Sequence, residues 1–246
     1  MTTASTSSSP SRDPHTIRIV GLVALLLLVA VTLLIAVLNV ATAPSLLDRA
    51  SGTGVEGSGS PASEVREVAP FTSVDLAGSN EVSISVGTTQ SVRVEADDNL
   101  LDLVTTRVRA GELVIDNDGD FQTRGPMRVQ ITLPELDAVT LSGSGTVSLQ
   151  GIDTETLTVR LPGSGVIRAA GSVDRLRATL VGSGELLLDA VTAARATAVL
   201  SGSGLIRLTA SDSLAATVSG SGTILYGGDP SSVIKSVTGS GAIIET

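Results

Sequence analysis

The sequence predicts an all-β fold: a right-handed parallel β-helix, or β-solenoid, with rungs of about 19 residues, preceded by one transmembrane α-helix. Three observations carry this. The tripeptide Gly-Ser-Gly opens at Gly143, Gly163, Gly182, Gly202, Gly220 and Gly239, at spacings of 20, 19, 20, 18 and 19 residues. Apolar residues alternate with period two on both sides of each copy, which is the strand period. One run of 20 residues without a charge, Ile19–Leu38, stands near the N-terminus.

The elements follow in chain order. Residues 1–18 open with a polar, Ser/Thr-rich stretch, Thr2–Pro14, that offers little to bury and is expected to be a disordered tail. In Ile19–Leu38 only Thr32 carries a polar side chain. As a helix this run spans about 30 Å, the thickness of a bilayer core. The apolar core of a cleaved signal peptide is shorter, and Pro44 directly follows the cleavage-like Ala41-Thr-Ala43, so residues 19–40 read as an uncleaved signal anchor. Arg12 and Arg18 precede the span and Arg49 follows it. That excess places the N-terminus in the cytoplasm and the remainder of this single-pass chain outside the cell membrane. Residues 41–64, with Ser-Gly-Thr-Gly and Gly-Ser-Gly-Ser-Pro, read as a flexible linker; Gly57-Ser-Gly59 lacks flanking alternation and is not a rung.

Residues 65–246 form the repeat domain. Two positions before each triplet stand Leu141, Leu161, Leu180, Leu200, Val218 and Val237. Four after its first glycine stand Val147, Ile167, Leu186, Ile206, Ile224 and Ile243. These are inward columns; Leu187, Leu225 and Ile244 interrupt the polar columns between them. The triplets (Gly143 and Gly145, Gly163 and Gly165, Gly182 and Gly184, Gly202 and Gly204, Gly220 and Gly222, Gly239 and Gly241) are expected as corners, where glycine accepts positive φ. Small residues at Gly151, Gly171, Ala190, Ala210 and Gly228 suggest a second corner in each rung. Such units bury their apolar faces only against neighbours, so they stack. The stretch Phe71–Ile84 fits the same template, with Asn80 in place of the second glycine. Beyond it there is room for about three further rungs before Gly143, with strand-like runs at Ser91–Glu95, Leu103–Arg109, Glu112–Ile115 and Met127–Leu133.

The Phe71–Ile84 opening, Glu95-Ala-Asp-Asp-Asn-Leu-Leu101, Gly111-Glu-Leu-Val-Ile115 and the Gly-Ser-Gly ladder together resemble the putative auto-transporter adhesin head GIN domain family of bacterial envelope proteins. The resemblance covers roughly Val65 to Thr246. It implies a β-helical domain outside the cytoplasm and brings no catalytic residues with it.

Composition narrows the chemistry. There is no cysteine, so disulfides, thiolate catalysis and Cys-bound zinc are excluded. The one histidine, His15, lies on the far side of the apolar run, which rules out a Ser-His-Asp triad in the ladder. Aromatics are limited to Phe71, Phe121 and Tyr226, leaving few stacking platforms for bases or sugars. The net charge of −9 argues against nucleic acid and anionic headgroups as ligands. Repeated Gly-Ser-Gly, with no helix or Walker lysine after it, is a corner and not a phosphate cradle.

Two acidic stretches are candidate sites. Asp116-Asn-Asp-Gly-Asp120 places Asp116, Asp118 and Asp120 around a glycine, as at the start of a calcium loop, although the closing Glu is absent. A polar turn is the plainer reading, and no other cofactor is expected. Asp97, Asp98 and Asp102 invite comparison with β-helix polysaccharide hydrolases, which use paired carboxylates. At the last rung Lys235, the sole lysine, and Glu245 occupy inward columns held elsewhere by apolar residues or Tyr226. Burying both ions under another rung is costly, so they read as an end cap that keeps the solenoid monomeric.

The functional expectation is a non-enzymatic, membrane-anchored envelope domain, an adhesin-like binding or spacing module. Its anchor partner is the lipid bilayer, through Ile19–Leu38, and its outer partner an extracytoplasmic protein or glycan. Two other classes stay open: a β-helix carbohydrate-active enzyme, and a scaffold or envelope-stress component acting through a partner membrane protein.

Overall fold

Period-two alternation becomes seventeen strands in the computed structural model, which describes residues 54–246. The expected tail, the Ile19–Leu38 anchor and the linker up to residue 53 lie outside the described residues. Among those described, no helix is long and apolar enough to cross a membrane.

In chain order the strands are β1 (Val55–Glu56), β2 (Pro61–Val65), β3 (Ser73–Leu76), β4 (Glu81–Val86), β5 (Ser91–Asp97), β6 (Val104–Arg109), β7 (Glu112–Asn117), β8 (Phe121–Gln122), β9 (Arg128–Leu133) and β10 (Ala138–Leu141). The ladder supplies β11 (Thr146–Leu161), β12 (Val166–Gly182), β13 (Glu185–Gly202), β14 (Leu205–Gly220), β15 (Thr223–Gly227), β16 (Ser232–Gly239) and β17 (Ala242–Glu245). One 3-10 helix, Asp98–Leu103, joins β5 to β6.

Each ladder strand serves two walls. The first half of β11 pairs in parallel with β4 while its second half pairs with β10. Wall one therefore runs β6, β7, β3, β10, the second halves of β11 to β14, then β16. Wall two runs β2, β5, β9, β4, the first halves of β11 to β14, then β15 and β17. Both walls turn their alternate residues into one apolar core, in which Leu141, Leu161, Leu180 and Leu200 face Val147, Ile167, Leu186 and Ile206. Each such side chain contributes about 1.5–3 kcal/mol when fully buried. The apolar exceptions Leu187 and Leu225 do face outward, half-buried, and Ile244 is exposed.

The structure corrects three sequence expectations. The second corner is a turn only at Gly228, between β15 and β16; β11 to β14 run through Gly151, Gly171, Ala190 and Ala210 without a break. The length variation is absorbed as register shifts, between Leu149 and Ile152, Arg168 and Ala170, and Leu188 and Thr192. A bulge lets an extra residue in while the ladder stays hydrogen-bonded, so no loop is needed.

The segment before the ladder does not hold three successive rungs. β3 and β4 pair directly with β10 and β11, so the Phe71–Ile84 unit stacks against the rung at Gly143. One further parallel rung, β7 and β9, sits on the other side of β3 and β4. Beyond it β6 pairs antiparallel with β7, and β5 lies antiparallel between β9 and β2. Alternation is the same in parallel and antiparallel strands, so sequence periodicity could not separate them.

The linker is shorter than expected. β2 pairs with β5 across Pro61–Val65, and β1 pairs with β8. Between them Ser58 N–H donates to Asn99 Oδ1 at 2.8 Å, and Asn99 Nδ2 donates to the Glu56 carbonyl at 2.8 Å. The Gly/Ser composition of residues 54–60 thus serves a close-packed crossing over the capping strands.

A candidate ligand-binding face

The Gly-Ser-Gly corners owe their glycines to two constraints. At Gly202 φ is +127°, and a Cβ would also strike the Gly182 carbonyl of the preceding rung. At Gly204 no positive φ is involved. A Cβ there would lie 2.5 Å from the Gly184 carbonyl oxygen and 2.6 Å from Leu180 Cδ2. Equivalent contacts recur at Gly165, Gly184, Gly222 and Gly241. At these corners successive rungs approach too closely for a side chain, which is a structural role.

The acidic candidates separate. Asp97 is fully buried, and its Oδ2 accepts from Arg124 N–H at 2.9 Å. Asp98 Oδ1 accepts from Ser58 Oγ. Asp102 lines an open groove between the β2 and β6 edges. A buried structural carboxylate beside two solvated ones is not an acid–base pair poised across a sugar. Around Asp116-Asn-Asp-Gly-Asp120, the Asp116 side chain caps Asn117 N–H, Asp118 N–H donates to the Leu103 carbonyl, and the Asp120 carbonyl accepts from Val55 N–H. Among the described residues no three acidic or histidine side chains converge as metal ligands; these hydrogen bonds pin the Asp116–Asp120 turn between strands.

The last rung keeps its register. Lys235 pairs with Ala216, and Glu245 with Tyr226. Tyr226 is buried, and its hydroxyl donates to Glu245 Oε2 at 2.9 Å. Lys235 Nζ stands 4.5 Å from the centroid of the same ring. The two charges therefore close over the one aromatic ring of the ladder, a contact that sequence alone did not show.

Sequence reasoning also missed a basic cluster. On wall one Leu176, Ala178, Ala196 and Ala198 point inward and are buried, which turns Arg175, Arg177, Arg195 and Thr197 outward. Arg175 and Arg195 are directly paired across neighbouring strands. The register slips between Ala193 and Arg195. There the outer face carries a cleft of about 250 Å³, lined by the three arginines, Thr197, Ser213 and Ser232 among others. Arg175 Nη1 binds Glu155 Oε1 at 2.7 Å, while Arg177 and Arg195 make no ion pair among the described residues. The signal was present in the repeat: Arg175 and Arg195 both stand seven residues before a first glycine, a column hidden by averaging charge over the chain.

Comparison with known proteins agrees with this architecture. No curated protein is significantly similar. A structure of a putative adhesin from Bacteroides fragilis superposes with a TM-score of 0.68 at 22% identity, covering 78% of this chain and all of that one. A putative lipid binding protein from Parabacteroides distasonis gives 0.55 at 24%, covering 79% and 100%. These likenesses establish a shared fold. The family model described as putative auto-transporter adhesin, head GIN domain, matches residues 70–230, and the chain belongs to that family.

Proposed function

We propose that this chain is a non-enzymatic, single-pass envelope protein that holds a rigid solenoid outside the cell as an adhesin-like binding module. The observation that carries it is the outer surface of wall one, a hydrogen-bonded sheet whose cleft combines three arginines and several hydroxyls with apolar side chains such as Leu214 and Ile234, with no converging metal-ligand cluster among the described residues. Family membership supports the adhesin reading, and the uncharged Ile19–Leu38 run with its flanking arginines supports the anchor. The lipid-binding name of one structural neighbour is a second direction; the open groove between the β2 and β6 edges is too polar, with Glu64, Glu67 and Asp102 on its lining, to favour it.

Trypsin added to spheroplasts tests the arrangement. Cleavage at Arg49, before the first described strand, should release the solenoid as a soluble fragment. Full protection until the membrane is lysed would place the domain inside and overturn the reading.

A further inference from the structure

We propose that the cleft at Arg175, Arg177 and Arg195 binds an acidic polysaccharide, with the sugar chain running along the solenoid axis. The inference rests on the binding-module reading above and names the ligand class of that face.

The charge arrangement is the first argument. Arg175 and Arg195 sit side by side on adjacent strands, about 4.8 Å apart at the backbone. Like charges in that position repel. Only Arg175 has an acidic partner, Glu155, and that partner sits at the edge of the group. The two other guanidiniums keep their donors free among the described residues, in a chain whose net charge is −9. Planar guanidinium forks match carboxylate and sulfate oxygens, often in bidentate fashion.

The second argument is the column itself. Along the axis the outward positions read Thr156, Arg175, Arg195, Ser213, Ser232. The neighbouring column reads Thr158, Arg177, Thr197, Ala215, Ile234. In the first column charged donors thus pass into neutral hydroxyls, while the second passes from Arg177 through Thr197 to the apolar Ala215 and Ile234. A polymer that mixes anionic groups with hydroxyls fits such a track along its length. A lipid headgroup would use only the arginine end. Nucleic acid is favoured by a long run of cations along its phosphates and, when single-stranded, by aromatic platforms; this face offers three arginines and no aromatic side chain in a chain of net charge −9.

The test uses the full chain in detergent micelles, titrated with oligogalacturonate, heparin fragments, neutral dextran of equal length, and vesicles containing phosphatidylglycerol. Binding to an acidic glycan that weakens with salt and is absent for dextran is expected. R177Q/R195Q should weaken it at least tenfold, and R107Q/R109Q, an equal charge change at the far end of wall one, should leave it unchanged. Circular dichroism of both variants checks that the fold is kept. Oligogalacturonate preference assigns carboxylates and heparin preference assigns sulfates; either supports the site. No glycan binding, equal loss in the two variants, or binding to vesicles alone overturns it. If trypsin reaches Arg49 outside the membrane while glycan binding is absent, this inference falls and the binding-module reading stands.

Discussion

Replacing Gly204 by Ala isolates what the Gly-Ser-Gly corners do. The residue has no positive φ, so a methyl group adds no backbone strain there. It would instead lie 2.5 Å from the Gly184 carbonyl oxygen and 2.6 Å from Leu180 Cδ2. Ordinary carbon contacts lie near 3.5–4.0 Å, so the two rungs must part by about 1 Å at this corner. They cannot do so freely, because Leu205 N–H donates to the Gly184 carbonyl between these same two rungs at 3.1 Å. Overpacking of this kind costs about 1–3 kcal/mol. For a domain of this size each kcal/mol lowers the melting temperature by about 2–4 °C, which gives a fall of about 2–12 °C. Gly111→Ala is the matched control. Its φ is +80° and nothing lies within 4 Å of the added Cβ, so it reports the backbone cost alone, about 1–2 kcal/mol. Gly202→Val combines both burdens and should be the worst of the three. Thermal melts of the full chain in micelles, followed by far-ultraviolet circular dichroism, measure all of them. A parental melting temperature for Gly204→Ala beside a lowered one for Gly111→Ala would show that dihedral freedom, not rung stacking, selects these glycines.

Further outcomes are expected elsewhere. Tyr226→Phe removes the hydroxyl that reaches Glu245 and should cost about 1 kcal/mol, read as a small drop in melting temperature. Exchanging both Lys235 and Glu245 for Val and Leu should produce concentration-dependent oligomers in light scattering, whereas the parent stays monomeric; stacked oligomers of the parent would make the rung an assembly surface instead. Asp97→Ala strands the Arg124 N–H and leaves a hole among Gly57 and Gly125, at about 1–3 kcal/mol, and Asp97→Asn should recover part of that loss in chemical denaturation. Calorimetry at millimolar Ca²⁺ should give the same heat for the parent and for Asp118→Asn/Asp120→Asn, since the turn carboxylates do not converge; heat lost in the double variant would restore a calcium site.

The regular part of the fold was legible because its information is local. Alternation set Leu141, Val147 and their repeats inward, and a constant spacing made each rung equivalent to the next, so strand type and stacking both followed from Thr146 to Glu245. Even the charged exceptions Lys235 and Glu245 could be placed, since their columns were defined by the rungs before them. What tertiary structure decided was the choice of neighbours where repetition stops. Strands β3 to β5, β7 and β9 alternate as the ladder does, yet that β5 lies antiparallel to β9, and that Phe71–Ile84 is sandwiched between the Gly143 rung and the rung of β7 and β9, depends on contacts far apart in the chain. The same holds for Gly204, whose obstacle is the carbonyl of another rung, and for Asp97, whose partner Arg124 lies on a separate segment. The arginine cleft lay hidden for a related reason. Net charge is a sum over the whole chain, while a ligand meets only the side chains that one wall brings together.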